Sequence, residues 1–151
     1  MHCVIATPVG HLRIDAAGSA ITGVNRTAER LTPPQTPLLE ECVRQLEAYF
    51  AGTLQCFDLP LRLEGTAFRV KVWQALQAIP YGETRSYGQL AAMVGNPRAS
   101  RAVGGANHHN PISIIVPCHR VIGADGSLTG YGSGLDMKAW LLEHERKHHH
   151  A

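Results

Sequence analysis

Residues 86–109, SYGQLAAMVGNPRASRAVGGANHH, decide the fold of the larger part of the chain. Ser86 with Gln89 three positions on is a capping box, and Leu90, Ala91 and Met93 carry a short helix onward from it. Gly95 ends that helix. Asn96-Pro97 then starts a second one, in which Ala99, Ser100, Ala102, Gly104, Gly105 and Ala106 are interspersed with Arg98 and Arg101. Two short helices around a Gly-Asn turn predict a helix-turn-helix. Gly104 and Gly105 need a reason to be there, because a glycine inside a helix costs about 1 kcal/mol against alanine. Close approach of another helix is one reason; close approach of a ligand backbone such as nucleic acid is the other.

Downstream, residues 110–134 read NPISIIVPCHRVIGADGSLTGYGSG. Ile114-Ile115-Val116 predicts a buried strand or extended segment that Pro117 breaks just before Cys118. Gly123 to Gly134 is a glycine-rich loop holding Tyr131. A last helix from about Asp136 carries Met137, Trp140 and Leu141 on one face, then His144 and Glu145. His148–His150 read as a native tail or a tag remnant and are set aside. Upstream, Thr66 opens a helix with Phe68, Val72, Ala75, Leu76 and Ile79 on one stripe, ended by Pro80-Tyr81-Gly82. Further back, Cys3–Ala6, Leu12–Ala16 and Ile21–Val24 read as short strands joined by tight turns. Thr36 and Pro37 begin a helix that places Leu39, Cys42, Val43, Leu46, Tyr49 and Phe50 at helical spacing up to Gly52. Phe57–Leu61 predicts a final strand. The expected division is 1–62, a small sheet with one helix, and 63–151, a mostly helical unit.

The whole chain has 151 residues, 44% of them hydrophobic and 17% charged, with mean hydropathy -0.09. That is globular composition for one domain or two small ones, which excludes disordered, collagen-like and coiled-coil readings. No apolar run approaches the roughly 18 residues of a membrane-spanning helix, and no secretory signal is visible, so the expectation is a soluble, cytoplasmic protein. Cys3, Cys42, Cys56 and Cys118 are irregularly spaced, and no CxxC occurs, which argues against a disulfide scaffold and a zinc site. Reduced thiols remain, each a small hydrophobe or a nucleophile. The net charge of +2 is uneven: residues 1–62 carry five Arg against six acidic side chains, while 63–151 carry nine Lys/Arg against six and seven of the nine His. This mild basic bias allows a polyanion partner without demanding one.

Cys118 precedes two side chains that can carry positive charge, His119 and Arg120, and a thiolate is the reactive form of cysteine. In an extended chain His119 would point away from the thiol and act on it through a water, with Glu145 as the carboxylate that orients the imidazole. By spacing alone, a buried structural cysteine beside a surface His and Arg is the commoner arrangement.

IIVPCHRVIG, preceded by SRAVGGANHHNP and followed by TGYGSGLDMKAWLLEHE, resembles the O6-alkylguanine-DNA alkyltransferases, which repair DNA by direct reversal. The likeness is dense from Gly65 to Glu145, and TPVGHL and QLEAYFAG resemble the family's less constrained first domain. The implied fold is α/β: a small RNase H-like sheet-plus-helix domain, then a winged-helix-like DNA-binding domain with a helix-turn-helix. By resemblance, Cys118 accepts the alkyl group, and His119, a water and Glu145 make it a thiolate. Asn110 braces the turn, and Tyr87 crowds the phosphate backbone and protonates the departing guanine. Arg101 enters the base stack while Ala99, Ser100, Ala102, Gly104 and Gly105 let the minor groove approach. The carbonyls of Cys118 and Val121 read the guanine amino group, Tyr131 and Gly132 close the pocket, and Lys138 lies near the active-site loop. Ser133 departs from a glycine common in that loop. The implied partner is double-stranded DNA containing O6-alkylguanine, met by a monomer without cofactor, metal or membrane. Two other classes fit parts of the pattern: a lesion-binding relative, which would lack Cys118, and a cysteine hydrolase, for which no oxyanion hole is evident.

Overall fold

The computed structural model describes residues 1–129 and 131–149. Gly130 of the glycine-rich loop, and His150 and Ala151 of the terminal run, lie outside the described residues. Two compact units divide the chain, Met1–Leu63 and Glu64–Ala151.

Alternation of apolar and polar side chains makes the first unit's sheet. Strands β1 (His2–Thr7), β2 (Gly10–Ala17) and β3 (Ala20–Arg26) form an antiparallel meander, with Cys3 opposite Ile14 and Ile14 opposite Val24. Helix α1 (Pro37–Phe50) starts where the Thr36 side chain accepts from the Leu39 N–H and proline takes the first position. Its buried face, Leu39, Cys42, Leu46 and Tyr49, meets all three strands. Cys42 is packing material there, its thiol pushed up to about 12 by burial and by the neighbouring Cys3 and Glu41.

The strand predicted over Phe57–Leu61 does not form. Gln45 of α1 takes both backbone groups of Asp58, Nε2 donating to its carbonyl and Oε1 accepting its N–H, each at 2.9 Å. Pro60 has no N–H to offer a ladder, so only a single bridge remains between Leu61 and Ile21.

In the second unit, α2 (Ala67–Leu76) is capped by Thr66 and buries Val72, Trp73 and Leu76. The predicted stripe needs correction: Phe68 and Ala75 are half-buried, and Trp73 is in the core, its indole N–H donating to the Ala106 carbonyl at 2.8 Å. Both halves of the Ser86–Gln89 capping box are present at the start of α3 (Tyr87–Met93), and Gly95 follows at φ +83°. Helix α4 (Ser100–His108) begins later than predicted, because Asn96–Ala99 is a turn closed by the Ala99 N–H on the Asn96 carbonyl at 3.0 Å. The residue before a proline resists helical backbone, which keeps Asn96 out of the helix. Strands β4 (Arg85–Ser86) and β5 (Val121–Ile122) pair in parallel, and α5 (Leu135–His148) closes the unit. Ile114–Val116 is a turn rather than a strand, and residues Cys118–Arg120 form a 3-10 turn rather than extended chain. Among the described residues, no helix is long and apolar enough to cross a membrane.

Replacing Gln45, itself buried, with Ala removes both of its hydrogen bonds to the backbone of exposed Asp58. The expected loss is about 1 kcal/mol, the net worth of such hydrogen bonds where water can replace them, read as a lower urea midpoint; an unchanged midpoint would contradict the account of why this segment is not a strand.

Candidate active site

The turn that leads into Cys118 is clasped by the side chain of Asn110. Asn110 Oδ1 accepts the Ile112 N–H at 3.0 Å, while Nδ2 donates to the carbonyls of Val116 at 2.8 Å and Ile112 at 3.4 Å. Within this clasp Ile114 sits at φ +73°, a conformation a β-branched residue adopts only when its surroundings impose it. The Val116 N–H reaches the Ile112 carbonyl at 3.0 Å, and the Arg120 N–H reaches that of Pro117 at 3.0 Å. A 3-10 turn rotates about 120° per residue, so Cys118, His119 and Arg120 leave the backbone in three directions.

Cys118 is 3% exposed. Burial pushes its thiol up to about 11, against a hydrogen bond from the Asn110 side chain and the charge of Lys138. His119 is wholly buried, with Nε2 2.6 Å from Glu145 Oε2 on α5. Burial would raise the Glu145 carboxyl, but His119 and Arg120 outweigh it and hold the group well below the usual carboxylate range. Arg120 alone supplies a permanent cation: Nε donates to Oε1 at 2.8 Å and Nη2 to Oε2 at 3.0 Å. With that charge in place His119 need not be protonated, and burial lowers its pKa, which favours the neutral ring. An ionised carboxylate only accepts, so the hydrogen of His119 is on Nε2. Nδ1 is then the basic nitrogen, and it has no hydrogen-bond partner among the described residues.

The remaining predicted residues form a second group. Tyr87 opens α3 and donates its hydroxyl to the Thr129 carbonyl at 2.8 Å. Lys138 Nζ donates to the same carbonyl at 2.7 Å and lies 5.9 Å from the Tyr87 ring centre. Burial pushes the Lys138 ammonium down to about 8, against the pull of Cys118. Tyr87, Ser100, Arg101, Gly104 and Thr129 line a shallow depression of about 380 Å³. Arg101 and Ala102 are exposed on α4, while Ala99 and Gly105 are half-buried beside that depression without lining it. A Cβ on Gly105 would meet nothing within 4 Å, and one on Gly104 only the Tyr87 ring at 3.8 Å. Close helix packing is therefore not the reason for these glycines. Gly132 has a different necessity: a Cβ there would lie 2.7 Å from the His108 carbonyl, so the loop can meet the end of α4 only as glycine. Tyr131 is buried beside it. Val121 is buried in β5, and its N–H, with Asn107 Nδ2 at 3.3 Å, already occupies the Cys118 carbonyl.

Two family models match the chain. The 6-O-methylguanine DNA methyltransferase ribonuclease-like domain covers residues 2–63, and the DNA binding domain of the same name covers 67–147. The chain belongs to the 6-O-methylguanine DNA methyltransferase family. It is 51% identical over 150 residues to a methylated-DNA–protein-cysteine methyltransferase of Mycolicibacterium paratuberculosis, covering 95% of this chain and 91% of the relative. A Methanosarcina acetivorans protein of the same name is 50% identical over 151 residues, covering 95% and 97%. The crystal structure of the Mycobacterium tuberculosis O6-methylguanine methyltransferase superposes with TM-score 0.90 at 49% identity, covering 99% of this chain and 94% of that one. A second crystal structure from that organism, in complex with DNA, gives TM-score 0.90 at 50% identity over 97% and 93%.

Sequence reading of this member of the 6-O-methylguanine DNA methyltransferase family missed three contributors. Arg120 was visible beside His119, but nothing in its spacing tied it to Glu145. Asn107 and Thr129 act through an amide and a backbone carbonyl, which leave no signature in residue type.

Burial and the raised thiol make Cys118 slow toward a small alkylating reagent. With iodoacetamide near neutral pH, exposed Cys56 is expected to be labelled first, and Cys118 labelling to climb steadily as pH rises toward about 11. Peptide mapping of the time course reads both, and equal rates at the two thiols would refute the description of this site.

Proposed function

We propose that this protein repairs DNA by moving an alkyl group from O6 of guanine in a duplex to Cys118, irreversibly and once per molecule. The observation that carries the reading is the 2.6 Å His119–Glu145 contact next to a buried cysteine, with Nδ1 of His119 left as the acceptor. A thiol at about 11 costs roughly 5 kcal/mol to ionise unaided at neutral pH, so transfer needs a base held beside it. His119 Nδ1 takes the proton through a bridging water, and Glu145 steadies the imidazolium. Cys118 Sγ then attacks the alkyl carbon in line with the bond to O6. The carbon–oxygen bond breaks, a thioether forms, and the electron pair leaves with guanine. Tyr87 supplies a proton to that guanine, giving up its bond to the Thr129 carbonyl to do so. Lys138, close in charge terms to Cys118, favours the anionic sulfur until it is alkylated. The thioether has no easy leaving route, which ends the cycle.

A base inside a stacked duplex cannot reach a sulfur this deeply buried, so the nucleotide must leave the stack, at a cost of a few kcal/mol. Arg101, exposed on α4, fills the gap, and the small residues Ala99, Ser100, Ala102, Gly104 and Gly105 let the minor groove come close. Val121 supplies its carbonyl to the guanine amino group, while Tyr131 and Gly132 wall the pocket. The reading includes a single chain acting in the cytoplasm: thiol, relay and DNA face all lie within one second unit.

Incubation with duplex DNA bearing O6-methylguanine, followed by intact-mass measurement, is expected to show one added methylene on the Cys118 peptide, stopping at one equivalent. No mass change with retained binding would indicate a lesion binder, and repeated turnover a hydrolase. Arg101→Ala should slow duplex repair by about tenfold or more, the factor that each ~1.4 kcal/mol of lost extrusion energy produces. Reaction with a free O6-alkylguanine base should be nearly unaffected; equal losses in both assays would remove Arg101 from extrusion.

A further inference from the structure

Glu145 has four lone-pair directions, and the fold fills every one. Oε1 accepts from Arg120 Nε at 2.8 Å and from the Gly82 N–H at 3.2 Å. Oε2 accepts from His119 Nε2 at 2.6 Å and from Arg120 Nη2 at 3.0 Å. The third arm of the guanidinium, Nη1, donates to the Ile79 carbonyl at 2.7 Å, so Arg120 cannot turn away from the carboxylate without breaking three bonds. Arg120 is itself 7% exposed, and its Cζ lies 5.7 Å from the Tyr81 ring centre.

We propose that Arg120 is a positioning residue for alkyl transfer, neutralising Glu145 from two sides so that His119 stays an uncharged base with its hydrogen on Nε2. An uncompensated buried carboxylate at 2.6 Å would draw a proton onto the imidazole instead, because an ion pair is the cheapest way to bury that charge. His119 would then already hold the proton it is meant to take from Cys118. Three charged groups act on it, Glu145 and Lys138 from α5 and Arg120 from its own turn, while Cys118 is its neighbour in sequence and Tyr81, from the segment after α2, lies against Arg120. Of these only Arg120 brings a permanent cation into direct contact with the carboxylate. Arginine's planar fork matches both carboxylate oxygens at once, which lysine's single ammonium does not.

The purpose of this arrangement rests on the alkyl-transfer reading, but its chemistry does not, and the experiment separates the two. Imidazole nitrogen shifts of histidine-labelled protein, followed by NMR from pH 8 downward, report the tautomer and titration of His119 without any DNA. The wild-type ring is expected to be neutral at pH 7 with hydrogen on Nε2. Arg120→Met and the better-tolerated Arg120→Gln should raise the proton affinity of His119 about tenfold or more, and Arg120→Lys should recover part of that change. The pH profile of transfer from a free O6-alkylguanine base should lose its acid side at correspondingly higher pH. A wild-type imidazolium at pH 7, or unchanged His119 titration in a folded neutral variant, would overturn the proposal. A uniform fall in rate at every pH would do the same, by making Arg120 a structural tie. Absence of alkyl transfer in the wild type, with the nitrogen shifts as expected, would instead sink the function and leave the role of Arg120 intact.

Discussion

A carboxylate buried to 1% exposure is among the costliest groups a small domain can hold, and in the second unit the two residues after Cys118 are committed to making Glu145 tolerable. Its donors come from separate segments: a backbone N–H from the turn after α2, and Arg120 and His119 from the 3-10 turn. A carboxylate saturated in this way pins those segments to α5. The charge therefore sets where the 3-10 turn lies, and with it where the sulfur of Cys118 points.

The turn just before it is under conformational load. Ile114 is held in left-handed backbone by the three hydrogen bonds of Asn110, at a cost on the order of 1–3 kcal/mol. A relaxed, extended segment would place Cys118 and His119 on opposite faces. The tight turn lets the thiol meet Asn110 and Lys138 while the imidazole meets Glu145. Burial keeps the thiol protonated at rest, and on the proposed mechanism this confines reactivity to the moment when a base fills the pocket.

The Thr129 carbonyl performs a comparable service on the other side, accepting from both Tyr87 and Lys138 and so joining α3 to α5 through a loop. Next to it, α4 tolerates glycines that no neighbouring helix repays with packing. In the proposed function their return comes from the ligand, as side-chain-free backbone that a groove can approach. Gly132 shows the contrast, since its lack of a Cβ is demanded by a protein carbonyl.

Local signals carried much of the architecture: the Thr36-Pro37 start, the Ser86–Gln89 box, the Gly95 stop and the alternation in the first sheet are interactions between residues a few positions apart. They are written in the sequence because nothing distant has to agree. Residue type and spacing made Cys118, His119 and Glu145 candidates while favouring a structural cysteine, and only the resemblance turned that balance toward chemistry. What failed was decided at a distance. Asp58 gave its backbone to Gln45 instead of a strand, Trp73 entered the core to reach Ala106, and Ile114–Val116 bent into a turn under the hold of Asn110. The lowered proton affinity of His119, the saturation of Glu145 and the two-point grip of Arg120 on it belong to tertiary structure alone, because the state of a buried charge depends on every donor that folding gathers around it, and spacing along a chain does not specify that gathering.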